Sequence, residues 1–307
     1  MSIAVLIWSS WLVLTSAGQT TALSLADLAV FRALSPSLVL APPLWHHRLD
    51  IIRLGLVRCL CLSAYGAPFI FFVGLGLSHA PVSHAGALVP GLMPVFALAL
   101  GTVFLARRLG MRQWIAVLLI LSGAATTLLH GSDPLGHDDQ WRGHALFLTG
   151  ALCWASFTVT MQSTAVSPFL ATAIVGSLSC AGLLPIWFLS DLSNLREASL
   201  SDVTFQLLFQ GVLSGLLALY AFSRALVFIP DMAGTLSALT PGVATILVIP
   251  VLGQVPGLAD AFALVLVVAG LAVLASGSSK GIGAPEQTDQ APPSMPPATM
   301  RNQKVAR

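Results

Sequence analysis

The basic residue set deepest in an apolar run is Arg32, within LADLAVFRALSPSLVL. A cation at the centre of a membrane helix costs about 2.5 to 3.5 kcal/mol to insert. Two readings follow. Either the side chain snorkels to the nearer interface, roughly 10 Å away at 1.5 Å per residue, or it faces a wet cavity and pairs an anion. Neutral polar groups sit at comparable depth. Trp8, Trp11 and Trp154 each carry an indole N–H that wants a partner when buried. Ser10, Tyr65, Ser156, Thr158 and Tyr220 carry hydroxyls suited to a ligand or to a helix carbonyl nearby. This is binding chemistry. For catalysis the chain offers no convergent set: no H-E-x-x-H, no phosphate-cradling glycine loop and no Cys/His cluster. No acid falls mid-span, since Asp27, Asp231 and Asp260 lie near helix ends, so no buried carboxylate proton relay is expected. His79 and His84 flank a predicted loop and read as solvent-exposed. Cys59, Cys61, Cys153 and Cys180 all fall in apolar runs and read as small core fillers, not metal ligands. No metal, cofactor or nucleic-acid partner is expected.

The elements that must position these residues are membrane helices. Hydrophobic residues make up 56% of the 307 and charged ones only 8%, where a soluble domain carries roughly 25% charged. At roughly 20 apolar residues per crossing, ten stretches qualify: 1–17, 25–44, 53–77, 82–105, 112–131, 143–163, 168–190, 203–226, 231–252 and 257–277. The expected fold is therefore an all-α integral membrane bundle of ten spans. Residues 278–307 are rich in Gly, Ser, Pro and Gln and read as a disordered cytoplasmic tail. Gly277-Ser278-Ser279-Lys280-Gly281 matches a hydrolase G-x-S-x-G but lacks the strand–turn–helix that motif requires.

Basic residues set the orientation. With the N-terminus inside, 11 of the 14 Lys and Arg collect at inner segments, and only Arg142 and Arg196 at outer ones. Both termini are then cytoplasmic. Trp45, Trp114, Trp141 and Trp187 lie near span ends and read as interfacial anchors.

The two halves resemble each other. Trp8 aligns with Trp154, and Ser10 with Ser156, at a shift of 146 residues. Pro94 aligns with Pro241, Leu105 with Leu252, and Gly123 with Gly270, at a shift of 147. Five helices per half is an odd number, so the second half (143–277) enters the membrane inverted relative to the first (1–131), a common plan of secondary transporters. Pro94 and Pro241 fall near the middle of the fourth and ninth predicted spans. A mid-helix proline frees a carbonyl, so the pair reads either as the wall of a midplane site or as simple packing kinks. Gly211 and Gly215 form a G-x-x-x-G that suits close helix packing, inside the molecule first and at a dimer face second.

The segments LVPGLMPVFALALGTVFLARRLGMRQWIAVLLILSGAATTLL and LSALTPGVATILVIPVLGQVPGLADAFALVLVVAGLAVLA, together with the run from Gly143 to Trp154-Ala155, resemble the EamA branch of the drug/metabolite transporter superfamily. The resemblance covers residues 1 to about 277. It implies ten helices as two inverted five-helix repeats, and export of amino acids or similar metabolites across a bacterial inner membrane. It also draws attention to Arg32, since relatives often carry an Arg on this helix. One departure stands out. Where the family commonly has Leu-Gly-Glu after the proline helix, this chain has Leu105-Ala106-Arg107 and Leu252-Gly253-Gln254.

The expected function is alternating-access transport of a small molecule, with the lipid bilayer as the other partner and either a monomer or a homodimer as the assembly. The expected substrate-binding residues are Trp8, Ser10, Arg32, Tyr65, Trp154 and Ser156, with Pro94 and Pro241 shaping the helices. A non-transporting scaffold or receptor and a membrane-embedded enzyme are the alternatives. Binding without flux marks the first, and covalent turnover the second.

Overall fold

The computed structural model describes residues 2–19, 21–106, 108–131, 139–228, 239–253 and 255–278. The expected tail lies outside these residues, apart from Ser278 at the end of the last helix.

The helices are α1 (Ser2–Gly18), α2 (Leu25–Leu44), α3 (Arg48–Leu54), α4 (Leu56–Ser63), α5 (Ala67–Leu77), α6 (Val82–Leu105), α7 (Met111–His130), α8 (Gln140–Ser163), α9 (Pro168–Leu189), α10 (Leu200–Phe228), α11 (Thr240–Leu252) and α12 (Leu258–Ser278). Their starts follow ordinary capping chemistry. Ser167 accepts from the Leu170 amide ahead of Pro168, and Ser199 accepts from the Asp202 amide. Ser24 and Asp27 form a reciprocal box at the head of α2, each side chain accepting from the other's amide.

Among the described residues, seven helices are long and apolar enough to cross a bilayer, or eight if the bent α2–α3 pair counts as one span. α1 and α11 are apolar but shorter. The third predicted span starts slightly later than expected: Gly55, at a φ of 84°, ends α3, and α4 and α5 together form the span Leu56–Leu77, with a turn at residues 64–66 inside it. The eighth is longer than predicted and is wound with wide i→i+5 turns from Leu207 to Ala218. Such turns are rare and often mark functional sites. The exterior is apolar, with Phe104 74% and Leu258 93% exposed, as a lipid-facing surface requires.

The halves interleave, since the main packing pairs (α7 with α12, α2 with α9, α6 with α8, α2 with α10, α1 with α11) each join one half to the other. The α7–α12 contact is reciprocal. A Cβ on Gly123 would lie 2.7 Å from the Ala263 carbonyl, and one on Gly270 would lie 2.9 Å from the Ala116 carbonyl. Ala116 and Ala263 are themselves 147 residues apart. Each glycine thus abuts the counterpart of its own neighbour, as two related repeats demand. At the same shift, α6 ends on Ala106 at φ 51° and α11 on Gly253 at φ 67°. Gly211 and Gly215 face α2, with the Gly215 Cβ position 2.2 Å from the Arg32 carbonyl, so the G-x-x-x-G serves packing within the molecule.

Candidate functional site

Arg32 does not snorkel. It is 4% exposed. Its Nη1 donates to Ser214 Oγ on α10 at 2.5 Å. The guanidinium carbon stands 4.6 Å from the Trp11 ring centre, 5.9 Å from Tyr65 and 6.0 Å from Phe69. Cation–π contact stabilises a desolvated guanidinium, but it leaves the formal charge uncompensated. Among the described residues no carboxylate lies within ion-pair distance of it.

Beside this cation, and reaching it through Tyr65, the helices build an aromatic cage. Trp8 on α1 and Trp154 on α8, the pair aligned between the halves, meet edge to face at 5.0 Å. Tyr65 lies 5.6 Å from Trp154 and 6.4 Å from Trp8, while Phe222 closes on Trp8 at 4.7 Å. The indole nitrogens of Trp8 and Trp154 are buried without a hydrogen-bond partner. Trp11 differs, because its Nε1 donates to Gln210 Oε1 at 2.8 Å. Gln210 Nε2 in turn donates to Thr15 Oγ1 at 3.1 Å and to Gln206 Oε1 at 3.2 Å. The two indole N–H groups are donors without a partner, and the guanidinium has no carboxylate beside it among the described residues. A space of about 10 Å³ beside Arg32, lined also by Tyr65, Ser179 and Gly215, has room for roughly one water. Elsewhere a vestibule of about 590 Å³ opens among His47, Asp50, Arg53, Arg58, Ser163 and Ser167.

The structure thus brings together Trp8, Arg32, Tyr65 and Trp154. It sets the other four expected residues apart. Ser10 is half-buried, and its neighbour Ser9 is the serine that crosses to the second half, donating to the Thr240 carbonyl at 3.2 Å. Ser156 donates to the Leu152 carbonyl of its own helix at 3.0 Å, the local bonding that hydroxyls in helices favour. Pro94 is mid-helix in α6, but the fully buried proline there is Pro90. Pro241 sits in the first turn of α11, where its missing N–H costs no helical bond, and not at mid-helix. Sequence reasoning missed Gln206, Gln210 and Ser214. Their spacing of four along an otherwise apolar helix was the available signal.

Trp187, near the end of α9, donates its Nε1 to Asp27 Oδ1 at 2.7 Å. One other expectation is corrected. His84 is fully buried in α6. Its Nδ1 lies 3.0 Å from His144 Nε2, and its Nε2 lies 3.1 Å from Asp260 Oδ1. A buried imidazole–carboxylate chain therefore exists at the helix ends, where none was expected. The four cysteines are free, and among the described residues no group of three such side chains is arranged to hold a metal ion.

Long apolar helices in two interleaved repeats around a buried cation define a polytopic membrane protein of the transporter kind. The model of the EamA-like transporter family matches residues 1–129 and 141–276. The chain belongs to that family, within the drug/metabolite transporter superfamily. No curated protein matches. Among solved structures 23 chains match. One, described as the crystal structure of a protein, superimposes at a TM-score of 0.58 with 21% identity, over 88% of this chain and 94% of that one. That likeness speaks to the fold alone.

Proposed function

We propose that this transporter moves a small organic anion, such as an amino acid or a related carboxylate metabolite, by alternating access about the Arg32 cage. One observation carries the reading. A guanidinium buried among aromatic rings has no anionic partner among the described residues, and the two nearby unsatisfied groups are also donors. Leaving such groups unpaired is costly; a ligand carboxylate would give the guanidinium its counterion, and further acceptors on the ligand would serve the indoles. The rings offer apolar area for the rest of the molecule. The space beside Arg32 is too small for a metabolite, which fits an occluded form that must open to load.

The reading includes ten spans as two inverted five-helix repeats, with both termini cytoplasmic in a bacterial inner membrane. Basic residues support the orientation. Arg53 and Arg58 line the vestibule on the face that would be cytoplasmic, where they raise the local concentration of anions. Export is the direction that the family resemblance implies.

The test is efflux from proteoliposomes loaded with a mixed pool of amino acids and organic acids, followed by mass spectrometry. Loss of one anionic compound with wild-type protein, and its retention with Arg32→Ala, is expected. Equal efflux with Arg32→Ala would make Arg32 structural. Binding without efflux under several ion gradients would favour a receptor.

A further inference from the structure

The chain makes an elbow where α2 gives way to α3, bent by 75°. α3 buries none of its residues. Its surface carries two kinds of side chain. Leu49 and Ile52 are exposed, as are Leu56 and Val57 at the start of α4. Arg48, Arg53 and Arg58 are interspersed among them, five residues apart. Arg48 stands over the exposed Trp45 ring, 5.2 Å from its centre. On a membrane protein, exposed apolar side chains meet acyl chains, while Trp and Arg collect at the headgroup level. The elbow therefore has the composition of a bilayer boundary.

The vestibule of about 590 Å³ opens beside this elbow, within the roughly 300 to 1,000 Å³ of small-molecule sites. Arg53 and Arg58 line it, together with Ser163, Thr164 and Ser167 from the end of α8 and the turn into α9. Ser163 and Thr164 already donate to the Thr160 carbonyl. Ser167 Oγ accepts from the Leu170 amide and so keeps its own hydrogen to give. The acid in the lining, Asp50, is engaged: it lies 3.2 Å from His47 Nδ1 and 3.9 Å from Arg53 Nη1. Arg58 has no carboxylate within ion-pair distance among the described residues. Two guanidinium groups against one carboxylate leave the lining at a net charge of +1 with His47 neutral.

We propose that this vestibule seats the headgroup of an anionic phospholipid, its phosphate on Arg58 and Arg53 and its chains along the apolar side chains of the elbow. The guanidinium fork matches phosphate oxygens in pairs, and basic pockets between membrane helices recruit anionic headgroups. The apolar flanks select a lipid over a soluble phosphate. Ile52 directly precedes Arg53, and Leu56 and Val57 directly precede Arg58; only a ligand with acyl chains covers them. The net positive lining selects an anionic lipid over a zwitterionic one, whose own ammonium it repels. The inference goes beyond the transport reading. It needs no flux, and it gives a bound partner to arginines that otherwise only attract anions from solution.

Native mass spectrometry of the purified full chain, titrated in detergent with phosphatidylglycerol or, separately, with phosphatidylcholine, tests this directly. The wild type is expected to bind a single phosphatidylglycerol at least ~10-fold more tightly than phosphatidylcholine. Arg53→Gln combined with Arg58→Gln should erase that preference. Arg112→Gln combined with Arg224→Gln removes the same charge from exposed positions outside the vestibule and should keep it. Asp50→Asn should strengthen it, a gain that a damaged fold does not produce. Equal affinity for the two lipids in the wild type would overturn the site, as would an equal loss in both double variants, which would reduce it to overall charge. Full displacement of the lipid by excess glycerol 3-phosphate would show a site for soluble phosphate and sink the lipid reading. The two proposals fail separately. Efflux from a protein with no lipid preference leaves transport standing, and a lipid preference in a protein that moves nothing leaves this site standing.

Discussion

Two buried charges lie five residues apart on α2, and the fold treats them in opposite ways. Asp27 is fully buried and accepts from the Ser24 amide and hydroxyl, the Trp187 indole, the Ser193 hydroxyl and the Asn194 amide. Both carboxylate oxygens are occupied, and the loop after α9 is pinned to the head of α2. Arg32 meets the Ser214 and Tyr65 hydroxyls and three aromatic faces, but no carboxylate among the described residues. A saturated charge holds a structure together. A charge left short of its counterion stores the capacity to bind one.

Exchanging the two roles gives the largest expected effects. Asp27→Ala removes the acceptor for five donors, and hydrogen bonds to charged groups contribute about 1.5 to 3 kcal/mol each. The variant should lose at least ~3 kcal/mol of stability, seen as a lowered thermal midpoint of the protein in detergent, with KM of the surviving fraction unchanged. Arg32→Gln should do the reverse. Truncating one side of a buried charge pair costs about 2 to 5 kcal/mol of binding, so efflux should fall more than ~30-fold, while the midpoint holds or rises because an uncompensated buried charge has gone. If Arg32→Gln lowers the midpoint as far as Asp27→Ala does, the contrast fails and Arg32 belongs to the scaffold.

The backbone beneath Arg32 gives a smaller effect. Gly215 lets α10 lie against the Arg32 carbonyl, and Gly211 does the same one turn earlier against the Phe31 carbonyl and Ser35. Gly215→Val forces the helices apart, at about 1 to 3 kcal/mol for overpacking. Unlike Asp27→Ala, it should also shift Arg32 relative to Ser214, lowering both stability and efflux. A stable, fully active Gly215→Val protein would show that α2 and α10 are not locked together.

Much of the cage was legible beforehand, for a physical reason. Membrane spans announce themselves by length and lack of charge, and the repeat alignment already set Trp8 beside Trp154 across the two halves. Arg32 stood out because cations are rare in such runs. Three things hid. The partners of Arg32 and Trp11 on α10 lie about 180 to 200 residues away, and amides and hydroxyls do not break an apolar pattern. His84 sits three residues into its helix, so position alone read as loop, while its partners are 60 and 176 residues away. Pro241 was placed mid-helix because an apolar run does not show where its helix begins.

The smallest expected effect probes the cage where the Asp27 site has no counterpart, at its unsatisfied donors. Trp8→Phe keeps most of the ring packed against Trp154 and Phe222 and deletes an N–H that has no partner. In a purely structural cage, losing an unsatisfied donor is neutral or mildly stabilising, because a buried polar group without a bond carries only its desolvation cost. If the indole completes its bond on a bound carboxylate, the same change costs about 1 kcal/mol of binding, or roughly a 5-fold rise in KM with kcat preserved. Trp154→Phe should behave alike, since the two residues are repeat counterparts. Trp11→Phe should not, because its N–H already serves Gln210 and its loss strands a buried amide oxygen. A higher KM with an unchanged midpoint for Trp8 and Trp154, set against a lowered midpoint for Trp11, would separate ligand-directed donors from structural ones within a single aromatic cluster.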